Sequence, residues 1–135
     1  AAPGVTGSWT VKDLLAHITF WHRRLLHIVE AERRGQRAAP LMRPGEDWPA
    51  ALARINEQVA GLSQAQPADV VLADFRQTSQ VVYALVAGLR DAELAAPLRT
   101  TGEPLLTLIL DLAYEHPHTH RLEVQDWLLR AETKK

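Results

Sequence analysis

Apolar residues near the start of the chain recur with the three- and four-residue spacing of an amphipathic helix. No proline or glycine interrupts this pattern between Trp9 and Gly35. The pattern therefore predicts one long first helix. Thr10, followed three residues later by Asp13, has the spacing of a capping box and indicates where the helix begins, and Gly35 indicates where it ends.

Three further helices are predicted from the rest of the chain. A shorter second helix spans 48–62, a third begins after Pro67, and a last helix spans 104–131 after a turn at 90–102. No segment has the alternation of a β-strand. We therefore expect a single all-α domain over 1–135, with three long helices and one shorter one.

Composition and charge exclude several classes of function. The 135 residues carry 15 Lys and Arg against 16 Asp and Glu, a net charge of -1, so no positive field gathers nucleic acid. No apolar run reaches the roughly 20 residues of a membrane span, and the first residues lack a signal-peptide pattern. We expect a cytoplasmic protein with neither a nucleic-acid nor a membrane partner. Because the chain has no cysteine, thiol chemistry would require an exogenous thiol.

Histidines are the residues that suggest chemistry. At about 100° per residue, Val124 and Trp127 belong to the apolar stripe of the last helix, which we expect to be buried. His116 and His120 fall near the centre of this stripe, and His118 falls on its opposite side. Two imidazoles at positions i and i+4 lie close enough to converge on one cation. His17, at the edge of the apolar face of the first helix, supplies a third ligand if the two helices are neighbours.

Two interpretations of these histidines remain open. Three histidine ligands leave an open position on a tetrahedral ion, which activates water or polarises a substrate. Alternatively, the histidines are core residues that make only hydrogen bonds. Glu123, three residues after His120, is either a hydrogen-bond partner for an imidazole N–H or an exposed carboxylate.

Candidate pocket residues are Trp21, Trp48 and Asn56, which lie beside inward-facing positions of the first two helices. Both tryptophans can equally be core anchors. Pro117 removes one helical hydrogen bond and clashes with the carbonyl of Ala113, so a kink is expected there. The kink is either incidental or widens the bundle beside the histidines.

Three segments together resemble the DinB/YfiT-like metalloenzymes. Residues 7–21 read GSWTVKDLLAHITFW, similar to the segment of that superfamily that carries its first ligand. Residues 114–128 read YEHPHTHRLEVQDWL, similar to its last-helix motif. Residues 47–80, with the pair Asn56 and Glu57, resemble the ClbS/DfsB-type branch.

The resemblance implies an up-down four-helix bundle whose three ligands correspond to His17, His116 and His120. It implies a bound divalent ion, zinc or nickel, and gives His118 no ligand role. In that superfamily a helix precedes the Trp-containing motif, whereas only eight residues precede Trp9 here. The expectation is therefore that this helix is missing from the chain or is replaced by a partner chain, as in a homodimer.

The activity that the resemblance implies is broad. Members include thiol-dependent S-transferases, hydrolase-like proteins and self-resistance proteins. We expect a metal-dependent transferase or hydrolase, in which the ion activates water or a low-molecular-weight thiol to attack a small electrophilic substrate. The sequence leaves open whether the protein is an enzyme. The alternative is a metal-free module of the same fold that binds or sequesters a small molecule without turnover.

Overall fold

The helices predicted from the hydrophobic pattern are present in the computed structural model, which describes residues 7–133. Within these residues there is no β-strand, as expected for an all-α bundle. The expectation that the superfamily's preceding helix is missing before Trp9 and the domain limits 1–135 both involve residues outside the described part. The helical elements, in chain order, are α1 (Val11–Arg33), α2 (Trp48–Gln64), α3 (Ala68–Ala87), α4 (Asp91–Ala95), α5 (Leu105–Ile109), a π-helical turn (Leu110–Glu115) and α6 (His116–Glu132).

Local capping defines the start of the first two helices. The Asp13 N–H donates to Thr10 Oγ1 at 3.2 Å, and the Thr10 N–H donates to Asp13 Oδ2 at 3.0 Å, so the predicted capping box is formed. At the start of α2, Asp47 Oδ1 accepts the Ala50 N–H at 2.9 Å. These contacts satisfy N–H groups that a helix leaves unpaired in its first turn.

Helix α1 lies at the centre of the bundle. Helices α2 and α3, the π-helical turn and α6 all pack against it. Because it has neighbours on several sides, α1 buries a broad set of side chains, including Leu14, Leu25 and Ile28. Fully burying a leucine contributes about 1.5–3 kcal/mol, so this helix supplies much of the packing energy that fixes its polar residues in place.

The loop between α1 and α2 is held against α2 by one charged residue. Arg54 donates from Nε to Glu46 Oε1 at 2.8 Å and from its terminal nitrogen to Glu46 Oε2 at 2.9 Å and to the Leu41 carbonyl at 2.8 Å. The Arg54 hydrogen bond lowers the pKa of Glu46 to about 2. This bidentate pair fixes the chain immediately before Trp48, the first residue of α2.

Two features differ from the predicted elements. The predicted turn at 90–102 contains the short helix α4, which begins with Glu93 Oε2 accepting the Arg90 N–H at 3.0 Å. The last helix was expected to bury Val124 and Trp127, yet both are only partly covered and α6 contains no fully buried residue. The reason is that, within residues 7–133, α6 packs mainly against α1 and the adjacent π-helical turn, so this apolar stripe has little else to cover it.

No helix in the described region is both long enough and apolar enough to cross a membrane.

Candidate metal centre

Helix α1 brings His17 into the interior of the bundle, where only 6% of its surface is exposed. Its imidazole ring lies between two indoles, with centroid distances of 5.0 Å to Trp9 and 6.4 Å to Trp21. Both contacts are edge-to-face, and they restrict rotation of the imidazole. The rigid packing of α1 thus orients the ring as well as burying it.

The π-helical turn places the two histidines of the last helix. The His116 N–H donates to the Asp111 carbonyl, five residues earlier, instead of the carbonyl four residues earlier used in an α-helix. Pro117 has no N–H, so the wider turn accommodates the residue for which a kink was expected. The helix continues through Pro117, and His116 and His120 both face His17.

The three Nε2 atoms converge on one point. His116 Nε2 lies 2.9 Å from His17 Nε2 and 3.0 Å from His120 Nε2. One ligand nitrogen from each of the three rings lies within 4.8 Å of the other two. Ligands of a tetrahedral zinc ion at ordinary bond lengths are about 3.3 Å apart, so the two contacts of His116 have nearly the spacing that such an ion requires.

Hydrogen bonding alone does not satisfy this arrangement. Glu123 Oε2 lies 2.8 Å from His120 Nδ1, so in a neutral His120 ring Nδ1 carries the proton and Nε2 has a lone pair. His116 Nε2 carries either one proton or one lone pair. With a proton, it can donate to only one neighbour; with a lone pair, it faces the lone pair of His120. When all three rings are neutral, one of the two short contacts is therefore unsatisfied without a cation.

The protein environment keeps the imidazole rings of His17 and His116 neutral. Burial lowers the pKa of His17 to about 4, assisted by the nearby His116 and His120. Burial also lowers the pKa of His116 to about 4, assisted by His120. Neutral imidazole is the form that binds a metal ion. At neutral pH both rings therefore offer lone pairs without first losing a proton.

A cavity of about 540 Å³ opens beside the three histidines, within the roughly 300–1,000 Å³ typical of small-molecule sites. Trp21 and Trp48 form an aromatic wall, with ring centroids 6.2 Å apart. Asn56 also lines the cavity, so all three candidate pocket residues lie there. The lining residues are His17, Trp21, Trp48, Leu52, Asn56, Asp111, Leu112, Glu115, His116, Thr119 and His120.

Three polar residues of this lining were not singled out from the sequence. Asp111, Glu115 and Thr119 form a row, each four residues after the last, one position before the row that contains His116 and His120. The spacing signal was present, since adjacent rows of a helix lie side by side. These three residues were missed because the prediction of site residues was based on the hydrophobic stripe, which does not include this polar row.

The remaining histidines lie outside the centre. His118 is exposed and stacks on Tyr114 with a centroid distance of 6.1 Å, so its predicted position on the opposite side of the helix is correct. His27 is exposed. His22 is buried on α1 but faces α3, where it stacks on Phe75 with a centroid distance of 6.5 Å. Three of the six histidines, two on α1 and one on α6, thus lie outside the centre.

The chain belongs to the DinB superfamily, whose family profile matches residues 2–128. Comparisons with curated proteins and with solved structures gave no match. Membership of the superfamily and the group of His17, His116 and His120 together fit a metal-binding, enzyme-like fold.

Proposed function

We propose that this protein is a metal-dependent enzyme that acts on a small electrophilic molecule. His17, His116 and His120 hold a divalent ion, zinc or nickel. The observation that carries this proposal is the convergence of three Nε2 atoms. His116 Nε2 lies 2.9 Å from His17 Nε2 and 3.0 Å from His120 Nε2, and hydrogen bonds between neutral rings cannot satisfy both contacts.

The donor set fits such an ion. Three neutral imidazoles suit zinc and nickel and leave at least one coordination position open. When bound, the ion would supply a nucleophile at neutral pH by lowering the pKa of a water molecule or a thiol. Because the chain has no cysteine, a thiol nucleophile would come from a low-molecular-weight compound that binds beside the histidines.

The cavity walls have separate roles in this proposal. Trp21, Trp48 and Leu52 bind the apolar part of the substrate and exclude water from one side of the site. Asp111 and Glu115, from the last helical segment, provide carboxylates that accept hydrogen bonds or a proton from the nucleophile. This separation holds the electrophile between an apolar wall and the reacting groups.

Turnover assays with defined electrophiles test the proposal. We would load the protein with Zn²⁺ or Ni²⁺ and measure conjugation of cysteine to 1-chloro-2,4-dinitrobenzene and hydrolysis of p-nitrophenyl acetate. We expect one of these reactions to depend on the metal and to fall at least about a hundredfold in His120→Ala, since a metal-activated nucleophile is worth several kcal/mol. His118→Ala, a substitution of the exposed histidine two residues away, should retain the activity.

Two results would contradict the proposal. Equal rates in wild type and His120→Ala would show that the reaction does not use this centre. Binding of the aromatic electrophile in the cavity, with no metal and no turnover, would instead favour the alternative function of a non-catalytic binding or self-resistance module.

A further inference from the structure

Three buried polar atoms of cavity-lining residues lack a hydrogen-bond partner of ordinary geometry. They are Nδ1 of His17 on α1, Nδ1 of His116 at the start of α6 and Oδ1 of Asn56 on α2. Buried polar atoms in folded proteins are almost always paired, because an unpaired one costs about 1–3 kcal/mol. Nδ1 of His17 and Oδ1 of Asn56 lie on two helices that pack against each other, and they therefore call for a common explanation.

The two atoms are chemically complementary. For His17 to present a lone pair from Nε2 toward His116, its single proton must be on Nδ1. A proton on Nδ1 requires an acceptor, and the amide oxygen of Asn56 is one. The side chain of Asn56 also opposes the lowering of the His17 pKa by hydrogen bonding, which is the effect of an acceptor and not of a donor.

The aromatic rings that contact His17 offer no acceptor for this proton. Trp9 and Trp21 contact the ring, but an indole N–H is only a donor. His116 and His120 approach from the opposite nitrogen, Nε2. Among the cavity-lining residues with an unpaired buried atom, Asn56 is the one that offers an amide oxygen.

We propose that Asn56 is a positioning residue for His17, whose Nδ1 proton it accepts so that Nε2 is held as a lone pair aimed at the centre. The proposal rests on the proposed metal-dependent function, since it concerns one of the three ligands. It gives α2, which contributes no ligand, a direct connection to the site. It also parallels the contact between Glu123 and His120, so two of the three ligands have their tautomer fixed from outside.

The first test is the zinc affinity of variants at position 56, measured by competition with a chromophoric chelator. Asn56→Leu keeps the size of the side chain and removes the acceptor, and we expect about a 10- to 100-fold weaker affinity. Asn56→Asp retains an acceptor oxygen and should bind Zn²⁺ within a few-fold of wild type. Leu52→Ala, which alters the same cavity one turn earlier on α2, is the matched control and should change the affinity by less than about threefold.

The second test is the tautomer of His17 in the metal-free protein, read from ¹⁵N NMR of its ring at pH 7.5. We expect the proton on Nδ1 in wild type and a shift toward the Nε2-protonated form in Asn56→Leu. Because this measurement needs no metal, it decides the inference even if the wild-type protein binds none and the proposed function fails.

An unchanged tautomer and unchanged zinc affinity in Asn56→Leu would overturn the proposal. An equal loss of affinity in Asn56→Leu, Asn56→Asp and Leu52→Ala would also overturn it, because Asn56 would then act through packing alone. If Asn56→Leu does not fold, Asn56→Ala provides the same comparison.

Discussion

The imidazoles of buried His17 and half-buried His116 determine how the stability of the metal-free protein depends on acid pH. Burial lowers the pKa of each ring to about 4, whereas histidine in an unfolded chain has a pKa of about 6.5. Between these values the unfolded chain binds protons that the folded protein does not bind. The contribution of these two rings to the free energy of unfolding is therefore fully present above pH 6.5 and is lost as the pH falls from 6.5 toward 4.

We predict that urea unfolding of the metal-free protein shows this loss. The free energy of unfolding should fall by on the order of 2 kcal/mol for each of these two rings between pH 6.5 and 4.5. His17→Gln, which cannot titrate in this range, should show a smaller fall over the same interval. A pH-independent difference between the wild type and this variant would contradict the neutral, buried state of His17.

At the scale of secondary structure, the π-helical turn connects core packing to the metal centre. Its residues, Leu110–Glu115, separate the buried anchors Leu105 and Ile109 from His116. A π-helical turn is wider than an α-helical one, so it changes the rotation of α6 relative to those anchors. The direction in which His116 and His120 point therefore depends on this turn.

We predict that Pro117→Ala weakens metal binding while favouring the helix. Alanine restores an N–H that can pair with the Ala113 carbonyl, and this should raise the stability of the metal-free protein by about 1 kcal/mol. The competing α-helical geometry should rotate His116 away from His17 and weaken zinc affinity about tenfold.

Pro104→Ala, at the start of the same helical segment and outside the cavity, is the control for this experiment and should leave zinc affinity unchanged. An unaltered zinc affinity in Pro117→Ala would show that the π-helical turn does not position the ligands.

Elements with a strong local signal were predictable from the sequence. The capping box at Thr10 and the apolar spacing of α1 are local, so the start of this helix was correctly predicted. The neighbouring positions of His116 and His120 also follow from helical spacing alone. The approach of His17 to His116 depends on packing between α1 and the last helix, 99 positions apart in sequence, and no local pattern determines it.

Other features were missed for similar reasons. Pro117 indicated an irregularity, but its sequence position alone does not specify that the irregularity includes a π-helical turn over Leu110–Glu115. The partial exposure of Val124 and Trp127 depends on which neighbours cover α6, and periodicity carries no information about that.

For the whole molecule, the centre joins two parts of the bundle that are otherwise weakly connected. Helix α6 has no fully buried residue and packs against the adjacent π-helical turn and, less extensively, against α1. A bound ion would fasten His116 and His120 of α6 to His17 of α1. Metal binding should therefore stabilise the entire fold as well as complete a site.

We predict a metal-dependent melting temperature. Free Zn²⁺ at a thousand times its dissociation constant should stabilise the fold by about 4 kcal/mol and raise the Tm by about 10 °C. Addition of EDTA should reverse the increase, as followed by differential scanning calorimetry. An identical increase in His116→Ala would show that Zn²⁺ acts elsewhere on the protein.

The central claim, that His17, His116 and His120 hold one divalent ion, is tested most directly by metal stoichiometry. Protein purified without a polyhistidine tag and reconstituted with Zn²⁺ or Ni²⁺ would be measured by inductively coupled plasma mass spectrometry. We predict about one ion per chain in wild type and in His118→Ala, and less than about a tenth of that in folded His116→Ala. Full occupancy in His116→Ala, or no ion in wild type after reconstitution, would contradict the account.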